Sequence, residues 1–151
     1  MIARQNAYLG NAEPMAESIE VSDEQLHALA DFRYQLRGFM RASEEICKAE
    51  GVTPLQYQML LQSRAVPGRP WVLVGELAGR LRSSVHGAVA LVSRAEAAGL
   101  VTRKPNPTDG REVQVHATPR GRRLLQRIAA RHLHELGPLS KALREISFSQ
   151  D

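Results

Sequence analysis

The sequence predicts a mainly α-helical chain interrupted by one small β-hairpin, and three observations carry that reading. Apolar residues recur at helical spacing, as at Ala88, Leu91, Val92 and Ala95. Gly99–Gly121 breaks that period. There Leu100–Lys104 is β-prone, and Pro105, Asn106, Pro107, Asp109 and Gly110 leave room only for a loop. Val113, Val115 and Ala117 then alternate with Glu112, Gln114 and His116, the period of a half-buried strand. Finally, helix starts are written into the chain. Ser22-Asp23-Glu24-Gln25 is a capping-box pattern, and Thr53-Pro54 and Thr118-Pro119 each place a hydroxyl cap before a proline at the first helical position.

Taken in order, residues 1–21 show weak periodicity with scattered Gly and Pro and read as a mobile arm. A long amphipathic helix follows from Ser22 to Glu50, with Leu26, Leu29, Ala30, Leu36, Met40 and Ile46 near helical spacing, and Gly51 ends it. A second helix starts at Thr53-Pro54 and ends near Arg64, with Leu55, Met59 and Leu60 inward. Val66–Pro70 is a turn, Trp71–Leu73 a short strand, and Gly75–Leu81 a third helix with Leu77, Ala78 and Leu81 inside. Arg82, Ser83 and Ser84 form a turn, and either serine can cap the helix Val85–Ala98, which Gly99 closes in the left-handed conformation. After the hairpin, Arg120–Leu136 is a basic helix with Leu124, Leu125, Ile128, Ala129 and Leu133 inside. Gly137-Pro138 should break it, leaving Leu139–Ile146 as a separate last helix. A short helix, a tight turn, a second helix and a hairpin make a winged helix-turn-helix. In that arrangement the second helix fits the major groove of duplex DNA, and the hairpin lies over phosphate or the minor groove.

Charge agrees with such a partner. The net charge is only +4, but residues 1–50 sum to −4 and residues 79–131 to +8. A polyanion partner explains that asymmetry, as does a solvated basic face. Aromatic residues make up only 5%, too few for a base-stacking platform for single strands. The chain has one cysteine, no visible secretory signal and no apolar run long enough to span a bilayer, which leads us to expect a cytoplasmic protein. No nucleophile–base–acid set and no phosphate-cradling glycine loop can be assembled, so we expect no enzyme activity and no cofactor. His132 and His134 stand two apart, on different helix faces, which argues against a metal site.

Thr53-Pro54-Leu55-Gln56, Gly75-Glu76-Leu77-Ala78, Glu96-Ala97-Ala98-Gly99-Leu100-Val101 with Arg103, Pro107-Thr108-Asp109-Gly110-Arg111 and Thr118-Pro119-Arg120-Gly121 together resemble the MarR (multiple antibiotic resistance regulator) family, in its order and spacing. The resemblance covers the chain from about Ser22 onward. It implies a triangular homodimer. Residues 22–52 and 119–151 would form a helical dimerisation lobe, and residues 53–118 a winged helix-turn-helix lobe for a palindromic double-stranded DNA operator. It further implies a repressor that a small anionic or phenolic effector releases.

Carried over by position, Val85–Ala98 is the recognition helix. Asp109 and Arg111 are the wing pair, in which the acid holds the turn and the arginine enters the minor groove. The candidate DNA-binding residues are Arg82, Ser84, His86, Gly87, Ala90, Arg103, Lys104, Asp109 and Arg111. Gly87 and Ala90 depart from the family pattern, which has polar Ser or Thr at the first and commonly arginine at the second. Few bidentate base readers remain, which shifts the expected affinity onto the wing and onto DNA shape.

Arg33, Arg37 and Arg41 recur every four residues in an acidic segment. With Tyr57 they are candidate ligand-binding residues; salt bridging to Glu44, Glu45 or a partner subunit's residues is the favoured account of the arginines. Two other readings stay open: a winged-helix interaction module that has lost DNA binding, and a redox-sensing regulator acting through Cys47.

Overall fold

A computed structural model describes residues 20–146 as eight elements: α1 (Asp23–Ala49), α2 (Pro54–Gln62), β1 (Trp71–Leu73), α3 (Val74–Arg80), α4 (Val85–Ala97), β2 (Val101–Pro105), β3 (Val113–Ala117) and α5 (Pro119–Glu145). The expected arm, apart from Glu20 and Val21, and the end of the chain after Ile146 lie outside the described residues.

Local signals place the helix starts. Ser22 Oγ accepts the Gln25 N–H at 3.2 Å while Gln25 Oε1 accepts the Ser22 N–H at 2.9 Å. Thr53 and Gln56 repeat this reciprocal cap at 3.1 Å in both directions. Each pair satisfies amides that a helix start leaves without a partner. Thr118 Oγ1 accepts the Gly121 N–H at 3.0 Å in the same way.

Two packed regions follow. The long helices α1 and α5 lie along one another. The short helices α3 and α4 pack on an antiparallel sheet of order β1-β3-β2, and α2 packs against α1, α5 and α3. One continuous core joins them, with Met59, Leu60, Leu77, Val92, Val115 and Ile128 fully buried. The inward face of α4 is Ala88, Leu91, Val92 and Ala95, as its spacing predicts.

The structure departs from the sequence reading at four places. First, α5 is continuous: it runs through Gly137-Pro138 rather than splitting there. A proline inside a helix removes one N–H donor and crowds the carbonyl four residues back. Packing against α1 compensates, because beyond the proline Ala142 is only 2% exposed and lies in a cleft shared with Asp31 and Gln35 of α1. Second, the short strand and the hairpin, read separately from the sequence, join in one sheet. Strand β1 pairs with β3, Trp71 opposite His116 and Leu73 opposite Gln114, so β3 is the central strand. Third, β3 does not alternate cleanly, because Gln114 is buried. Its Nε2 donates to Asn106 Oδ1 at 3.3 Å and its Oε1 lies 2.8 Å from His116 Nε2, so its polar atoms are satisfied.

Fourth, several residues expected inside face out. Leu55 is exposed at the start of α2, and Tyr57 is buried in its place. Leu133 is exposed, and its neighbour His132 turns inward. Leu26, Leu29 and Met40 of α1 are also exposed, as is Leu143 of α5. The apolar stripe of α1 is wider than the strip α5 covers.

Candidate nucleic-acid interface

The turn between α3 and α4 sets the geometry of the site. The Arg82 N–H donates to Gly79 O at 3.1 Å and the Ser83 N–H to Ala78 O at 2.9 Å, the two bonds of a Schellman motif. The residue after the cap must then be left-handed, and it is Arg82, at φ +51°. Its Cβ makes that conformation cost about 1–2 kcal/mol, a strain glycine would avoid. Ser84 caps α4, its Oγ accepting the Gly87 N–H at 3.0 Å. A Cβ on residue 87 would sit 3.1 Å from that same oxygen, so Gly87 leaves room for the cap. Val85, His86, Gly87 and Val89 of α4 are exposed and Ala90 is half-buried.

The wing is built by its own hydrogen bonds. The Asn106 N–H donates to Glu112 O at 2.9 Å, Asn106 Nδ2 donates to Glu112 Oε2 at 2.8 Å, and the Glu112 N–H donates to Asp109 O at 3.0 Å. Asp109 Oδ1 accepts both the backbone N–H and Nε of Arg111, and Oδ2 accepts Nη2, each at 3.1 Å. Those side-chain and backbone bonds to Arg111 hold the Asp109 carboxyl below its usual range and raise Arg111. The Arg111 side chain remains 91% exposed. Its guanidinium is therefore held by Asp109 through Nε and Nη2 while its remaining surface stays open to solvent. Lys104 is also exposed.

Arg103, a DNA-binding candidate, lies in the middle of β2, not at the tip of the hairpin, and is engaged by α4. Its Nη2 donates to Glu96 Oε1 at 3.1 Å and its Nη1 to Ser93 Oγ at 3.2 Å. Its backbone N–H donates to Glu96 Oε2 at 2.8 Å. These bonds depress the Glu96 pKa, the backbone one most. Arg103 is thus a clamp between wing and α4. Glu96 and Ser93, which sequence reasoning missed as site residues, are its other half. The one available signal was that Glu96 is among only three acids in a strongly basic segment.

A second missed lock lies at the base of the wing. The Thr118 N–H donates to Leu100 O at 3.0 Å and its Oγ1 to Gly99 O at 2.7 Å. A Cβ on Gly121 would fall 2.1 Å from Leu100 O. Only glycine lets α5 start that close to the end of α4.

The ligand-binding candidates are not brought together. Arg33, Arg37 and Arg41 are exposed on α1, and Arg41 pairs with Glu45 at 3.7 Å. Arg37 and Arg41 border an open groove with Met40, Glu44, Glu45 and Lys48, which neither Arg33 nor Tyr57 lines. Tyr57 is buried and stacks on His132, centroids 4.5 Å apart. His132 also places Nε2 2.6 Å from Ser43 Oγ and Nδ1 2.9 Å from Ile128 O. Burial, and secondarily the nearby Cys47, push the Tyr57 hydroxyl pKa up. Cys47 itself is fully buried and its thiol is pushed up by burial. An enclosed thiol whose pKa burial raises is a poor peroxide target, which argues against the redox reading.

Together these parts define a winged helix-turn-helix. Residues 50–112 match the model of the MarR family. A protein of Thauera aromatica to which regulation of the hcr operon has been ascribed is 33% identical over 96 residues. That match takes in 64% of this chain and 56% of the relative, so the chain spans little more than half the length of the relative it matches. Among solved structures, AbsC, a MarR family transcriptional regulator of Streptomyces coelicolor, superposes with a TM-score of 0.66 at 20% identity, covering 82% of this chain and 83% of that one. A mutant MarR of E. coli complexed with operator DNA superposes at 0.59 and 18% identity, covering 85% and 89%. Among the described residues no helix is long and apolar enough to cross a membrane.

Proposed function

We propose that the chain is a sequence-specific transcriptional regulator that binds a palindromic double-stranded operator as a homodimer and represses until a small anionic or phenolic ligand releases it. The observation that carries the reading is the pairing of an exposed α4 face with a wing whose Arg111 is anchored by Asp109 yet open to solvent. In this reading α4 enters the major groove, Arg111 reaches the flanking minor groove, and Arg82 and Lys104 meet phosphate. The likeness to a structure complexed with operator DNA supports the orientation. The exposed apolar side chains of α1 and α5 support a second copy covering them. The ligand response rests on the family resemblance alone. A ligand would act only through different affinities for two dimer geometries.

The test is binding to duplex from the protein's own upstream region against random duplex, across a salt series. Specific binding with a steep salt slope is expected, and equal affinity for both duplexes would refute the reading. Within it, Arg111→Ala should weaken binding by about tenfold or more and by more than His86→Ala; the reverse order would displace the wing from its role.

A further inference from the structure

The N-terminal half of α4 presents Val85, His86, Val89 and Ala90 away from the buried Ala88, Leu91 and Val92. Val85 is 58% exposed and Val89 41%. They stand one helical turn apart on the flank toward the wing, where with Val113 they form part of the apolar lining of a cleft that Arg103, Arg111 and Glu112 also line. A single exposed valine needs no explanation. Two exposed valines side by side on the surface of a helix that the fold presents to a major groove do. His86 is the one hydrogen-bonding side chain among these four residues, and none of them can make the bidentate contacts by which side chains distinguish guanine or adenine. One feature of a major-groove base edge is apolar: the C5 methyl of thymine.

We infer that Val85, Val89 and Ala90 are specificity residues that read thymine methyls, so that α4 selects its base pairs by apolar contact rather than by hydrogen bonds. The inference rests on the regulator reading above and gives it a chemical content. It accounts for the absence of polar readers at Gly87 and Ala90 without loss of sequence preference. Burying one methyl corresponds to roughly a fourfold change in affinity, so several such contacts per half-site suffice for discrimination.

The experiment starts by selecting duplexes from a random library with the full chain. The enriched duplex is resynthesised with deoxyuridine replacing thymidine at one position at a time. Uracil keeps every hydrogen-bonding group of thymine and lacks only the methyl. We expect about fourfold weaker binding at one or more thymines in each half-site, and we expect Val85→Ala or Val89→Ala to abolish that difference. Both substitutions are at exposed positions and favour the helix, and circular dichroism checks that they fold. Equal binding of uracil and thymine duplexes at every position overturns the inference while leaving the regulator reading intact. A methyl effect that persists undiminished in both variants also overturns it, by assigning the contact elsewhere. If selection enriches no sequence, the regulator reading fails and this inference with it.

Discussion

Gly121→Ala is the sharpest test of how the wing is held. In the native chain the added Cβ would lie 2.1 Å from Leu100 O and 3.2 Å from Leu60 Cδ2. An ordinary carbon–oxygen contact needs more than about 3 Å, so the start of α5 must move roughly 1 Å away from the end of α4. Leu100 O is backbone and cannot rotate aside. It also accepts the Thr118 N–H at 3.0 Å, and Thr118 donates to Gly99 O at 2.7 Å, so the movement strains both bonds. Alanine favours a helix interior by up to about 1 kcal/mol, but this site is the first turn, where that gain is smaller. Overpacking against an unyielding neighbour costs about 1–3 kcal/mol or more, and loss of a buried hydrogen bond adds about 1 kcal/mol. A net loss of about 3 kcal/mol corresponds to a Tm drop of roughly 6–12 °C for a chain of this length. Thermal melts by circular dichroism at one fixed protein concentration read it, since association would shift Tm as well. A variant melting within about 2 °C of the native protein would refute the argument that α5 is wedged against Leu100.

Two further outcomes follow from groups on the same face and its neighbours. Arg82→Gly should raise stability modestly, by up to about 1 kcal/mol after allowing for the glycine's freer unfolded chain, because it relieves the left-handed strain. The same variant should lower the salt slope of DNA binding by about 2 per dimer, one phosphate contact for each subunit; an unchanged slope would remove Arg82 from the interface. Below about pH 4.5 the protein should lose stability, because the Glu76 carboxyl, held down chiefly by its bond to Arg69, and the Glu96 carboxyl, held down by Arg103, both lie lower in the folded state than in the unfolded chain. That contribution is complete above the unfolded value and disappears as pH falls through the folded one, so Glu76→Gln should flatten an acid-denaturation profile.

Much of this fold was legible because its signals are local. Ser22 with Gln25, Thr53 with Gln56 and Thr118 before Pro119 mark helix starts whose caps the side chains themselves supply. The 3.6-residue spacing of Ala88, Leu91, Val92 and Ala95 identifies the inward side of α4 with no knowledge of what covers it. The misreadings occur where the decision belongs to a partner element. Pro138 is a local stop signal, and the packing of α5 on α1 overrides it. Leu133 and His132 are adjacent, and hydropathy alone puts leucine inside. Yet His132 has Tyr57 to stack on and Ser43 and Ile128 to bond, so its burial leaves no polar atom unsatisfied. Within the site, the pairing of Asp109 with Arg111 was legible through the resemblance of Pro107–Arg111 to a known wing motif, and the two lie two residues apart in one turn. The partnership of Arg103 with Glu96 spans the end of a helix and the start of a strand, and nothing in the spacing announces it.

That partnership separates two accounts of how the face would bind DNA under the proposed function. If only net charge mattered, removing the Glu96 carboxylate from a surface meant for a polyanion would strengthen binding, and Arg103 would gain freedom to meet phosphate. The geometry argues otherwise. Glu96 receives both the side chain and the backbone N–H of Arg103, and Arg103 also holds Ser93, so one acid fixes β2 against α4. On the proposed reading, recognition by two elements at once, α4 in one groove and Arg111 in the next, depends on their relative position being set before binding, since ordering them afterwards subtracts from the affinity. Glu96→Ala should therefore weaken specific binding by several-fold at low salt while leaving binding to random duplex equal or slightly tighter, because the loss is of geometry and the gain is of charge. Titrations of both duplexes at two salt concentrations separate these effects. Tighter binding to the specific duplex at both concentrations would show that Glu96 acts merely as a negative charge and that Arg103 is not a clamp.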